Sequence, residues 1–134
     1  VAIDARLFER LTSHQLQRPL AESLGSEPTV TGTALRDAVQ VLGRQEPLFG
    51  AMLASGTLRQ VLAEELELVP LPEVLGFQLT VLRESRPEAW LHALRSAVTA
   101  AWLGTHQGAT RHDLRMLATA GLVHDLGMLH LDPV

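Results

Sequence analysis

The residues best suited to chemistry form a His-Asp doublet, His124-Asp125, preceded by apolar Leu122-Val123 and followed two residues on by Gly127. An imidazole nitrogen and a carboxylate oxygen are donors for divalent ions such as Fe, Mn and Zn. Neighbours on a helix point about 100° apart, so the pair can share an ion only if it lies off the helix axis. Other donors must then come from a second helix. Glu88 and His92 qualify, because positions i and i+4 fall on one helical face. The predicted metal ligands are therefore Glu88, His92, His124 and Asp125, with Asp125 also the catalytic carboxylate. A bridging Asp suits a two-metal site that activates water for attack on a phosphorus centre. The doublet follows an apolar helix, which predicts that both side chains lie near the buried side, where an unpartnered carboxylate is costly. A buried His-Asp hydrogen bond that braces helix packing is the alternative use of the same pair.

The other histidines have simpler readings. His14 and His106 stand in polar or loop-like surroundings and read as surface residues. His112-Asp113 is a second doublet, but Thr110 three residues before Asp113 fits a capping box, which accounts for the acid. His130 reads as incidental, and Asp132 before Pro133 as turn chemistry.

The elements that must position these groups are helices. Ile3 to Leu16 has one apolar face and Pro19 interrupts its continuation to Leu24; Gly25 to Gly32 reads as a loop with a short extended piece at Thr29-Val30-Thr31. Thr33 is the expected cap of a helix to Leu42 that Gly43 stops, with Leu35, Val39 and Leu42 inward. Helices follow over Pro47 to Ala54 and, capped by Thr57, over Leu58 to Leu68, with Glu64, Glu65 and Glu67 on a solvated face. After the stiff connector Val69-Pro70-Leu71-Pro72, Glu73 to Arg86 carries a stripe of Val74, Leu75, Leu79 and Leu82. Pro87 suits the first turn of a helix from Glu88 to about Leu103, whose apolar positions are Leu91, Leu94, Val98, Ala101 and Trp102, and Gly104 to Gly108 reads as a loop. Arg111 to Val123 is the helix that delivers the doublet. The expectation is all-α: a helical bundle.

Composition narrows the classes further. With no Tyr and 4% aromatics, the core must be mostly Leu, Val and Ala, which suits helix-on-helix packing. A net charge of −4 gives no basic field for nucleic acid or anionic lipid. The absence of Cys removes disulfides, zinc-thiolate sites and cysteine nucleophiles, and is compatible with the reducing cytoplasm expected here. No apolar run reaches the roughly 18 residues of a membrane span, so no membrane partner is expected. The chain opens on Val1 without Met and closes soon after the doublet, which leads us to expect a longer parent chain.

At His92 and His124-Asp125 the sequence resembles the HD superfamily of metal-dependent phosphohydrolases, helical proteins with a first His followed by a His-Asp doublet on a later helix. The segments Leu91-His92-Ala93-Leu94-Arg95-Ser96-Ala97 and Ala120-Gly121-Leu122-Val123-His124-Asp125-Leu126-Gly127 are most similar to the HD-GYP branch, bacterial phosphodiesterases that act on cyclic di-GMP. Glu88 stands where some members have an additional metal-binding Glu. The resemblance covers about Pro87 to Val134. It implies two parts: an N-terminal helical segment, 1–86, regulatory or packing, and the N-terminal, truncated part of an HD domain, 87–134. It also implies a divalent transition metal, Fe or Mn, binuclear in the complete protein, and a cyclic dinucleotide or other phosphoester substrate. Without further helices over the doublet, the apolar surface would have to be covered by self-association into a homo-oligomer. The resemblance departs at Met128, where the branch commonly has Lys, and at His130-Leu131-Asp132-Pro133, where it commonly reads Gly-Ile-Pro-Asp. A lysine would bring positive charge to phosphate and Met cannot. These departures support a second expectation, a non-catalytic signalling or interaction module on a degenerate HD fold.

Overall fold

A computed structural model describes residues 29–54 and 56–130 of the chain. The expected helices over Ile3 to Leu24, the start of the loop after them, and the turn at Asp132-Pro133 lie outside the described residues, as do the side chains of Met128 and His130. The described residues form six α-helices and no strand, as expected for an all-α bundle. They are α1 (Gly32–Gln45), α2 (Pro47–Leu53), α3 (Gly56–Glu67), α4 (Glu73–Ser85), α5 (Pro87–His106) and α6 (Arg111–Val123), followed by a 3-10 turn at Leu126–His130. None of these helices is long and apolar enough to cross a membrane.

Helix α1 begins earlier than its sequence suggests. Thr31, not Thr33, is the cap: its backbone is extended, and its hydroxyl accepts the Ala34 N–H at 3.2 Å. Leu35, Val39 and Leu42 are buried, at the spacing of one helical face. Gly43 does not stop the helix, which continues to Gln45. The break comes at Glu46, held extended because Pro47 disfavours helical backbone in the residue before it. Gly43 serves a close crossing instead. A Cβ on Gly50 of α2 would lie 2.6 Å from the Gly43 carbonyl oxygen, so the absence of a side chain at Gly50 lets the two backbones touch, while a Cβ on Gly43 would meet Leu53 Cδ1 at 3.0 Å.

Helix α3 starts at Gly56, one residue ahead of the expected cap Thr57, and buries Leu58, Leu62 and Leu66. Glu65 is a correction. It does not lie on a solvated face but is 3% exposed, because Arg111 and Arg115 of α6 reach it with Nε atoms at 3.0 and 2.7 Å. Arg111 also pairs with Glu64. Two cations from α6 therefore satisfy a carboxylate that would otherwise be costly to bury, and they tie α3 to α6.

In α4, Leu79 and Leu82 face inward and Leu75 is half-buried, but Val74 is 67% exposed. Val74 sits about 140° round the helix from Leu79, on the outer side. Thr80 is fully buried because both of its hydrogen-bonding capacities are used: it donates to the Gly76 carbonyl at 2.7 Å and accepts the Val30 N–H at 3.0 Å. That pair fastens the chain entering α1 across α4.

Helix α5 starts with Pro87 in its first turn, as expected, and runs on through Gly104 to His106. Gly104 is buried against α6: a Cβ there would approach Leu117 Cδ1 to 2.6 Å. The stop is Gly108, whose φ of +72° is the left-handed conformation glycine tolerates, with the Ala109 N–H returning to the Gly104 carbonyl at 3.0 Å. Trp102 is half-buried, packed against the core, and meets the His106 ring at a tilted angle with centroids 4.3 Å apart. The Thr110 and Asp113 capping box opens α6 with both reciprocal hydrogen bonds formed. One continuous cluster of buried side chains runs from Val30 to Leu126, on both sides of residue 86, and α5 packs against every other α-helix of the described residues.

Candidate metal centre

Two helices supply the site. His92 is in the second turn of α5, and His124 caps the C-terminal end of α6 with Asp125 just beyond. The antiparallel α5–α6 pair brings the start of one helix beside the end of the other. Gly121 makes that approach close enough. A Cβ on it would stand 2.7 Å from the Ser96 carbonyl oxygen and 2.9 Å from Ala97 Cα, so α6 rests directly on α5 backbone one turn past His92.

The result is a convergence of three donors. His92 Nε2 lies 3.2 Å from Asp125 Oδ2, and His124 Nε2 lies 3.0 Å from the same oxygen. The two imidazole rings are 5.4 Å apart. One ligand atom from each of the three residues falls within 4.8 Å of the others. Two donors about 2.1 Å from one ion and at right angles to each other are about 3 Å apart, so these separations suit a shared first-row divalent ion.

The tautomer of His124 is also fixed. Its Nδ1 lies 2.6 Å from the Gly121 carbonyl oxygen, which can only accept, so Nδ1 carries the proton. Nε2 of His124 then faces the Asp125 carboxylate. A carbonyl holding the far nitrogen is the usual support for a metal-ligating histidine. The C-terminal end of α6 adds the negative pole of its dipole, which favours a cation at the same place. The three donors could hold a metal ion.

Burial differs from expectation. The side chains of His92, His124 and Asp125 are 55%, 43% and 38% exposed. The apolar face of α6 ends with buried Leu122, and the doublet projects past it where the helix turns out. The three side chains form a partly exposed surface cluster. Glu88, expected as a fourth donor, is exposed one turn before His92 and is not in the three-residue group. Its charge acts on Arg95, whose guanidinium is bound to Glu46 and holds that carboxyl below the usual carboxylate range.

Gly121 and Ser96 are the positioning residues that sequence reasoning passed over. The available signal was a glycine inside an amphipathic helix three residues before a candidate ligand. Comparison with family models, with curated proteins and with solved structures finds nothing that matches this chain.

Proposed function

We propose that the chain carries the metal-holding elements of an HD-type phosphohydrolase acting on a phosphodiester, with cyclic di-GMP as the substrate class. The observation that supports this reading most is the convergence of His92, His124 and Asp125 from two helices on one point. His92, His124 and Asp125 would hold the ion, their Nε2 and Oδ2 atoms already lying 3.0–3.2 Å apart. A divalent ion, Fe or Mn, would supply Lewis-acid chemistry there, polarising a phosphoryl oxygen and lowering the pKa of water. Gly121 holds His124 through its carbonyl, and the cluster is partly exposed. Glu88 is the candidate for a further ligand, one turn from His92.

A second reading, a helical signalling module on a degenerate HD fold, is favoured by Met128 and by His130-Leu131-Asp132-Pro133 at positions where the resembled branch differs. Metal and turnover separate the two. The purified chain is loaded with Mn or Fe under anaerobic conditions, washed, and analysed for metal by mass spectrometry; cyclic di-GMP hydrolysis is followed chromatographically. Bound metal that His92→Ala and His124→Ala abolish, with turnover lost in parallel, supports the hydrolase. Bound metal without turnover supports the module. A chain that retains no transition metal sinks the metal-site reading itself. Leu103, Met116 and Leu117 form exposed apolar surface on the α5–α6 pair, which supports the homo-oligomer expected from sequence. Sedimentation at rising concentration tests it, and a monodisperse monomer counts against it.

A further inference from the structure

A concavity lies away from the metal centre, between α1, α2 and α3. We propose that it binds a small phosphorylated ligand of mononucleotide size, gripped by Arg44 and Arg59.

The cavity measures about 380 Å³, within the range of small-molecule sites. It lies beside the crossing of α1 and α2, where Gly50 sits against the Gly43 carbonyl. Val39, Leu53 and Ala63 supply an apolar wall. Three arginines line the recess, and they are not equivalent. Arg36 is committed to Asp37 and Glu67. Arg44 and Arg59 have no ion pair or hydrogen bond among the described residues.

An unpaired arginine in a chain of net charge −4 is not forced by any shortage of acids. Arg44 has a local reason to stand where it does, since the last turn of α1 favours a cation. Arg59 does not. It falls in the first turn of α3, where the helix dipole disfavours a cation, and that turn holds no acidic residue to offset it. A ligand anion in the recess would supply the missing counter-charge to both guanidinium groups. Phosphate matches them best, because its oxygens meet the planar fork of arginine two at a time. The apolar wall and the volume leave room for a sugar or base, which inorganic phosphate would not fill.

Calorimetry on the intact chain with AMP, adenosine and inorganic phosphate as probes tests the proposal. AMP is expected to bind saturably and more tightly than either of its parts. Arg44→Gln and Arg59→Gln should each weaken AMP by roughly tenfold, the scale of one charge-assisted contact. Both side chains are exposed, so the variants keep the fold, and circular dichroism checks this. His124→Ala should leave AMP affinity unchanged, which separates this site from the metal centre. The proposal is overturned if AMP does not saturate, if the double variant binds it as tightly as the parent chain, if inorganic phosphate binds as well as AMP, or if His124→Ala abolishes binding.

Discussion

Replacing Gly121 by Ala should damage the metal centre more than the fold. The added methyl would stand 2.7 Å from the Ser96 carbonyl oxygen, where ordinary contact begins at 3.4 Å. Backbone cannot swing aside as a side chain can, so α6 must move from α5 by about 0.7 Å at that point. Overpacking of this kind costs about 1–3 kcal/mol. Alanine returns up to about 1 kcal/mol through its higher helix propensity, leaving a net loss near 1 kcal/mol. The site has less tolerance. His92 lies one turn from Ser96 and His124 less than a turn from Gly121, so the displacement falls directly on the 3.2 Å separation between His92 Nε2 and Asp125 Oδ2. Donors must stand within about 0.2 Å of their ideal distance, and disturbing the support of a ligand typically weakens metal by about 10–100-fold. Calorimetric titration with Mn, beside thermal unfolding followed by circular dichroism, reads both effects. Gly127→Ala is the control, since a Cβ there meets nothing within 4 Å. Metal binding by Gly121→Ala within about threefold of the parent chain, or equal weakening by Gly127→Ala, would show that Gly121 does not position the site.

Other consequences follow from the packing. Thr80→Val keeps the volume but strands the buried Val30 N–H, and should cost about 1–3 kcal/mol in urea unfolding; Thr80→Ser, which keeps the hydroxyl, should recover most of it. Glu65→Gln removes the charge that Arg111 and Arg115 share. Both arginines can turn toward water, so the loss should be about 2 kcal/mol rather than that of a fully buried pair, and an unchanged midpoint would disprove the clamp. Acid should loosen the bundle through Glu46 and Asp113. Arg95 lowers the pKa of the first, and the Thr110 backbone N–H that of the second. A folded-state value below the unfolded one contributes stability that is complete above the ordinary carboxylate values of 4.5 and 3.8 and is lost as pH falls through the lowered ones. Glu46→Gln should therefore flatten the acid limb of a plot of melting temperature against pH, and an unaltered slope would show that this pair contributes nothing.

Much of the bundle was legible because helix formation depends on local pattern. The 3.6-residue spacing of Leu35, Val39 and Leu42, the first-turn prolines at Pro47 and Pro87, and the Thr110–Asp113 box act within a few residues of themselves. Residue type and helical face marked His92, His124 and Asp125 as candidate donors, but they lie on two helices and no local pattern brings them together. What the sequence could not fix is which glycines end helices and which let helices touch. Gly50, Gly104 and Gly121 sit within helices, and each is explained only by the atom of another helix that a methyl would strike. Burial of charge was equally hidden. Glu65 has the same local surroundings as Glu64, and only Arg111 and Arg115, brought from α6, make its position tolerable. The doublet itself shows the limit from the other side. The sequence determined that His124 and Asp125 could serve a cation. The close contact of α5 with α6 decided that they would meet His92 at the surface, because the distance between two helices is set by the smallest residue between them.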